Sequence, residues 1–85
     1  MLKLSYKKAA IKSLKKMPIG PRDQLMASLR EIARDPQGFR GDWIPLKGEP
    51  YWRLRVGGWR AICSVENKEL VLIVLKVGSR GDIYK

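Results

Sequence analysis

Residues 51–65 read YWRLRVGGWRAICSV, two alternating runs on either side of Gly57-Gly58. A two-residue glycine turn between such runs is the strongest short-range sign of an antiparallel hairpin. With the turn in place, Val56 faces Trp59, Arg55 faces Arg60, Leu54 faces Ala61 and Arg53 faces Ile62, and strand alternation then fixes both faces. One face carries Trp52, Leu54, Val56, Trp59, Ala61, Cys63 and Val65 and needs covering. The other carries Tyr51, Arg53, Arg55, Arg60, Ile62 and Ser64, so two arginines stand directly opposed with a third two residues along. Opposed like charges weaken a sheet. Clustered guanidiniums suit phosphate, because each is a planar fork that stays charged and bonds two oxygens at once. This face therefore reads as an anion site; the plainer reading is arginine solvated on an open sheet, partly neutralised by Glu49 or Glu66.

Downstream, residues 66–69 (ENKE) make a second turn, and residues 70–77 (LVLIVLKV) form a nearly continuous apolar strand. Such a run belongs inside a sheet with both faces partly covered, so a central place is expected. After Gly78, Ser79-Arg80-Gly81-Asp82 reads as a polar turn and Ile83-Tyr84-Lys85 as a possible edge strand. Upstream, residues 37–50 carry Gly38, Gly41, Pro45, Gly48 and Pro50, which predicts a loop or irregular crossover anchored by Phe39, Trp43 and Leu46. Two helical stripes precede it. Ala10, Leu14 and Met17 form the first, and Leu25, Leu29 and Ile32, widened by Met26 and Ala33, form the second. Pro18-Ile19-Gly20-Pro21 separates them, Pro21 suits a first helical turn, and Asp35-Pro36 ends the second helix. Leu2-Lys3-Leu4 alternates like a short strand, with Ser5 placed as an N-cap. The predicted order is β-α-α-β-β-β with a possible final β. It gives an α+β fold, one domain over residues 1–85, in which an antiparallel helical hairpin covers one face of a twisted, mainly antiparallel sheet of four or five strands.

The chain has 85 residues, with 18 Lys and Arg against 8 Asp and Glu, a net charge of +10. That length leaves room for a single small core. The charge predicts attraction to polyanions. It is concentrated in residues 1–22, where Lys3, Lys7, Lys8, Lys12, Lys15, Lys16 and Arg22 meet no acid. A solvated helix surface is one reading of that run, but Lys8, Lys12 and Lys16 repel one another one turn apart, and a docking surface is the other. The single Cys63 and the absence of His exclude an internal disulfide framework, a Cys/His metal cluster and a His-based triad; neither metal nor cofactor is expected. Cys63 reads as a small buried side chain, since a catalytic Cys usually enlists a His. Trp52 and Trp59 fall on the covered face, and Trp43 is undecided. No run reaches the roughly 20 apolar residues that span a bilayer and no signal-peptide core stands at the start, so the expected address is the cytoplasm, with no membrane partner.

The hairpin YWRLRVGGWRAICSV and the ending LKVGSRGDIY (residues 75–84) resemble those of the RelE/ParE superfamily of type II toxins, over nearly the full chain. The resemblance implies a short strand, two helices and an antiparallel sheet, and a toxin neutralised by a cognate antitoxin. The excess positive charge makes that antitoxin acidic, and a hetero-oligomer with it is expected. In the RelE-like branch, which the residues favour, it implies a ribosome-dependent endoribonuclease that cuts mRNA in the A site. The ParE-like branch implies inhibition of DNA gyrase, and an inactive, antitoxin-binding domain is a third possibility. Carried over by position, Arg53 and Arg55 match the basic pair on the first hairpin strand, Arg60 the arginine after the turn, and Arg80 the arginine of the V-G-x-R segment. Tyr84 matches the tyrosine that stacks on or positions the nucleotide. These five are the catalytic candidates, with Lys7, Lys8, Lys12, Lys15, Lys16 and Lys47 as the RNA- or ribosome-binding candidates. Two departures stand: Arg53 and Arg55 replace the lysines of the best-known ribonucleases, and the interval from Arg80 to Tyr84 is short.

The implied chemistry is attack of a ribose 2′-OH on the adjacent phosphorus, giving a 2′,3′-cyclic phosphate and a free 5′-OH. It needs charge stabilisation, which arginines supply, and a proton acceptor. Arginine is a poor base, since its pKa exceeds roughly 12. The acceptor is therefore arginine in an unusual setting, Tyr84, or the ribosomal RNA.

Overall fold

The computed structural model describes residues 1–79. Gly57-Gly58 turns the chain between β3 (Trp52–Val56) and β4 (Trp59–Glu66), with Gly57 at φ 59°, a left-handed value that a side chain opposes. The pairs are Val56 with Trp59, Arg55 with Arg60, Leu54 with Ala61 and Arg53 with Ile62, the register expected of that turn. The other elements are β1 (Lys3–Tyr6), α1 (Lys8–Lys16), α2 (Ile19–Arg34), β2 (Asp42–Pro45) and β5 (Val71–Ser79). The strands form one mixed sheet in the order β1-β5-β4-β3-β2, antiparallel except where β1 runs parallel to β5.

Both helical stripes are buried against one sheet face. Ala10, Leu14 and Met17 from the first helical segment and Leu25, Leu29, Ile32 and Ala33 from α2 join Leu54, Ala61, Cys63, Leu72, Val74 and Val77 in one core. The long apolar run earns its place through a β-bulge: Ile62 pairs with Lys76 but Cys63 with Val74, leaving Leu75 as the extra residue. The bulge lets Val77 and Val74, an odd number of positions apart, both face the core. Trp59 packs at the edge of the core, and Trp52 stacks on Trp43 with ring centroids 5.1 Å apart and planes at 15°.

The structure corrects three local expectations. Ser5 is not a cap: it lies in β1, opposite Ile73, because pairing with β5 carries the strand on to Tyr6. Lys7 takes the N-cap place without a side-chain bond, and its N–H donates to the Val74 carbonyl at 2.9 Å. The stretch read as a loop contains the edge strand β2, where Pro45 is harmless because an edge leaves one backbone side unpaired. The apolar run, expected to be central, is interior but second in the sheet; β4 holds the middle. The possible final strand at residues 83–85 lies outside the described residues.

Cys63 is fully buried, and burial pushes its thiol up from an ordinary value near 9 to about 12. The Tyr6 hydroxyl, also raised chiefly by burial, has no hydrogen-bond partner among the described residues. Folding thus favours the protonated form of both. Below about pH 9 folded and unfolded chains hold the same Cys63 proton; above it only the unfolded chain loses that proton. Stability should therefore fall between pH 9 and 12 by up to about 1.4 kcal/mol per pH unit from this thiol. Urea midpoints at pH 8 and pH 10, compared between wild type and Cys63→Ala, check this: the variant should show the shallower fall.

Candidate anion-binding face

The sheet face turned away from the helices is where the arginines gather. Across adjacent strands the register sets Asp42 opposite Arg55, Arg55 opposite Arg60, and Arg60 opposite Gly78, one row over four strands. Arg53, two positions from Arg55, points to the same face. The cross-strand pairing that buries Leu54 and Ala61 on the core side therefore forces Arg55 and Arg60 together on the other.

Among the described residues, Asp42 pairs with two of these arginines. Asp42 Oδ1 accepts from Arg53 Nη2 at 2.9 Å, and Asp42 Oδ2 meets Arg55 Nε at 2.7 Å. The plainer alternative, arginine solvated on an open sheet, names Glu49 or Glu66 as the neutralising acid; the carboxylate found beside Arg53 and Arg55 is Asp42. Glu66, at the far end of β4, accepts from Ser64 Oγ at 3.3 Å. Asp42 offsets part of the repulsion between Arg55 and Arg60, and among the described residues the three guanidiniums of this face outnumber the carboxylate that pairs with two of them. Arg60 is half-buried, and its Nη1 is shielded from solvent without an acceptor among the described residues. Leaving a buried donor unmade costs about 1–3 kcal/mol. A phosphate oxygen is an acceptor that removes that cost. Exposed Ile44, opposite Arg53, and exposed Tyr51 flank the group with apolar surface.

The remaining sequence candidates divide. Lys8, Lys12, Lys15 and Lys16 are exposed on α1, in the helical layer, so the sheet separates them from the arginines. Lys7 caps that helix, and Lys47 is exposed in the turn after β2. The α1 lysines thus make a second basic surface, while Lys47, in the turn after the edge strand β2, stands apart from them. Arg80 and Tyr84 lie outside the described residues. Trp43, Trp52 and Trp59 stand on the helix side and are not platforms on the arginine face. Asp42 is the residue that sequence reading missed, since its partners lie 11 and 13 positions along the chain and only the pairing of β2 with β3 joins them. Among the described residues no group of three or more His, Cys, Asp or Glu converges to hold a metal, and no helix is long and apolar enough to cross a membrane.

A family model described as the ParE toxin of the type II toxin-antitoxin system, parDE, matches residues 4–84. Among solved structures, the chain is similar to the archaeal RelE-RelB complex from Pyrococcus horikoshii OT3, with 26% identity and a TM-score of 0.81 over 95% of this chain and 97% of that one. It is also similar to the intact E. coli RelBE toxin-antitoxin complex, with 27% identity and a TM-score of 0.77 over 93% of this chain and 96% of that one. The YoeB/ParE toxin from Agrobacterium tumefaciens, at 20% identity and a TM-score of 0.78 over 93% and 99% of the two chains, shares the fold. No curated protein matches the chain.

Proposed function

Because the chain belongs to the ParE toxin family of type II toxin-antitoxin systems, we propose that it arrests growth as a ribosome-dependent endoribonuclease that cuts mRNA in the A site. The observation that carries this reading is the row Asp42–Arg55–Arg60, with a shielded Arg60 nitrogen that has no acceptor among the described residues, on a sheet face rich in arginine. The solved RelE-RelB and RelBE complexes, at 26% and 27% identity, support the RelE-like branch. They also support a cognate antitoxin as partner, and the basic surfaces of this chain fit an acidic one.

In this reading Arg60 and Arg80 hold the scissile phosphate, Arg55 reaches the same phosphate beside Arg60, and Arg53 extends the field that binds the RNA backbone. As the 2′-oxygen bonds to phosphorus, charge builds on the non-bridging oxygens, and fixed guanidiniums stabilise it without reorganising. The bond to the 5′-oxygen then breaks and that oxygen takes a proton. Tyr84 stacks on the neighbouring base, and the lysines of α1 with Lys47 dock on ribosomal RNA through phosphate contacts. Arg53 and Arg55 do this work as arginines, which keep their charge and cannot serve as bases at neutral pH. The proton acceptor for the 2′-OH comes from the ribosome.

Naked RNA should therefore be cut at a negligible rate by the purified protein, while the same message is cut within codons when translated; rapid cutting without ribosomes would overturn this reading. The family match to ParE toxins favours a second reading, docking on DNA gyrase through the same arginines without chemistry. In that case growth arrest comes with intact mRNA and an SOS response.

A further inference from the structure

We infer that Asp42 is a positioning residue that aims Arg55 at a phosphate shared with Arg60. The inference rests on the anion-binding reading of this face and adds to it the residue that orders the site. Asp42 lies on the edge strand, directly across from Arg55, and grips that side chain at Nε with an oxygen 2.7 Å away. Gripping Nε fixes the plane of the guanidinium from the strand side. The terminal Nη1 and Nη2, which make no acceptor contact among the described residues, form the outer fork of a side chain 49% exposed. Its other carboxylate oxygen is tied to Arg53 at 2.9 Å, so Asp42 itself cannot swing. On the other side of Arg55, directly cross-strand, stands Arg60 with its shielded Nη1.

The ligand is a phosphodiester. Two guanidiniums on adjacent strands, one steadied from behind by Asp42 and one half-buried with a shielded nitrogen, match the two non-bridging oxygens of one phosphate. Without the carboxylate, Arg55 and Arg60 repel each other and Arg55 turns out into solvent. Asp42 thus lowers the charge of the face by one unit and gives it order in exchange. Charge governs affinity for any polyanion, whereas order governs whether the bound phosphate sits where it reacts.

The test follows the arginine side-chain Nε–H signals by NMR as an RNA trinucleotide, made uncleavable by a 2′-deoxy sugar at its centre, is titrated into wild type, Asp42→Asn and Asp42→Glu. In wild type the Arg55 and Arg60 signals should shift along one binding curve, and Arg55 Nε–H should stay protected from solvent exchange both free and bound. In Asp42→Asn the two curves should part and that protection should be lost, while overall affinity at low salt holds or rises with the added positive charge. Asp42→Glu should bring the curves back together. In translation-dependent cutting, Asp42→Asn should be slower by about 10–100-fold despite undiminished RNA binding. An edge strand merely weakened by the substitution would lower binding and cutting together. Coincident curves in Asp42→Asn would overturn the inference and leave the anion-binding face standing. So would loss of Arg55 Nε–H protection when wild type binds the trinucleotide, since that means the phosphate displaces Asp42. No response of Arg55 or Arg60 in wild type would overturn the phosphate reading of the face as well.

Discussion

Arg60→Ala is expected to slow the cutting of translated mRNA by at least about a hundredfold, the loss that follows when one preorganised donor to a developing oxyanion is removed. Arg60 faces Arg55 across the hairpin and has a shielded nitrogen with no acceptor among the described residues. Among the described residues, alanine would forfeit no hydrogen bond of that nitrogen, only the packing of the arginine stem. Relief of the opposed charges should leave stability unchanged or raised by about 0.5 kcal/mol. Urea unfolding beside the cutting assay measures both. Lost cutting with an equal or higher midpoint marks a residue kept for chemistry; lost cutting with a lower midpoint would mark one kept for folding.

Leu54→Ala should show the reverse pattern. Leu54 is fully buried in the middle of β3, between Trp43 on β2 and Ala61 on β4, with the helical layer above it. Its neighbour Ala61 is too small to fill the space that truncation leaves, and Trp43 is held by its stack on Trp52. A cost of about 2–5 kcal/mol is expected for such a substitution. Small domains lie toward the lower end of the roughly 5–15 kcal/mol that holds proteins folded. The urea midpoint should accordingly drop by roughly 2 M, while cutting per folded molecule is retained at low temperature. A midpoint within about 0.5 M of wild type would mean that the space above β3 collapses and that the core is less rigid than its burial implies.

The contrast between these two variants follows from the hairpin, and it is there that the sequence was most legible. Gly57-Gly58 fixes a two-residue turn, the turn fixes register, and register fixes which residues are core and which are face. The helical stripes were legible for a similar reason: Leu25, Leu29 and Ile32 lie on one side of any helix, whatever it packs against. Features set by distant pairing were not legible. β2 is four residues long and contains Pro45, so its local signals are those of a loop, and it exists because β3 offers an unpaired edge. Ser5 has the chemistry of an N-cap, yet the parallel pairing of β1 with β5 outcompetes a cap that yields one hydrogen bond. Asp42 escaped notice for the same reason as β2, and with it the charge balance of the arginine face. The lysines were legible as a helix surface, but their separation from the arginines became visible only once the core showed which side of the sheet the helices cover. That separation leaves two basic surfaces on opposite sides of the sheet, to which the proposed function gives different tasks, docking for one and the scissile phosphate for the other.

The most direct test of the nuclease claim is primer extension on a defined message after brief induction of wild type or an Arg60→Ala/Arg80→Ala double variant, with and without translation of that message. Cuts within codons that require translation and vanish in the double variant are the predicted result. Growth arrest with the message intact would contradict the account and leave gyrase as the target.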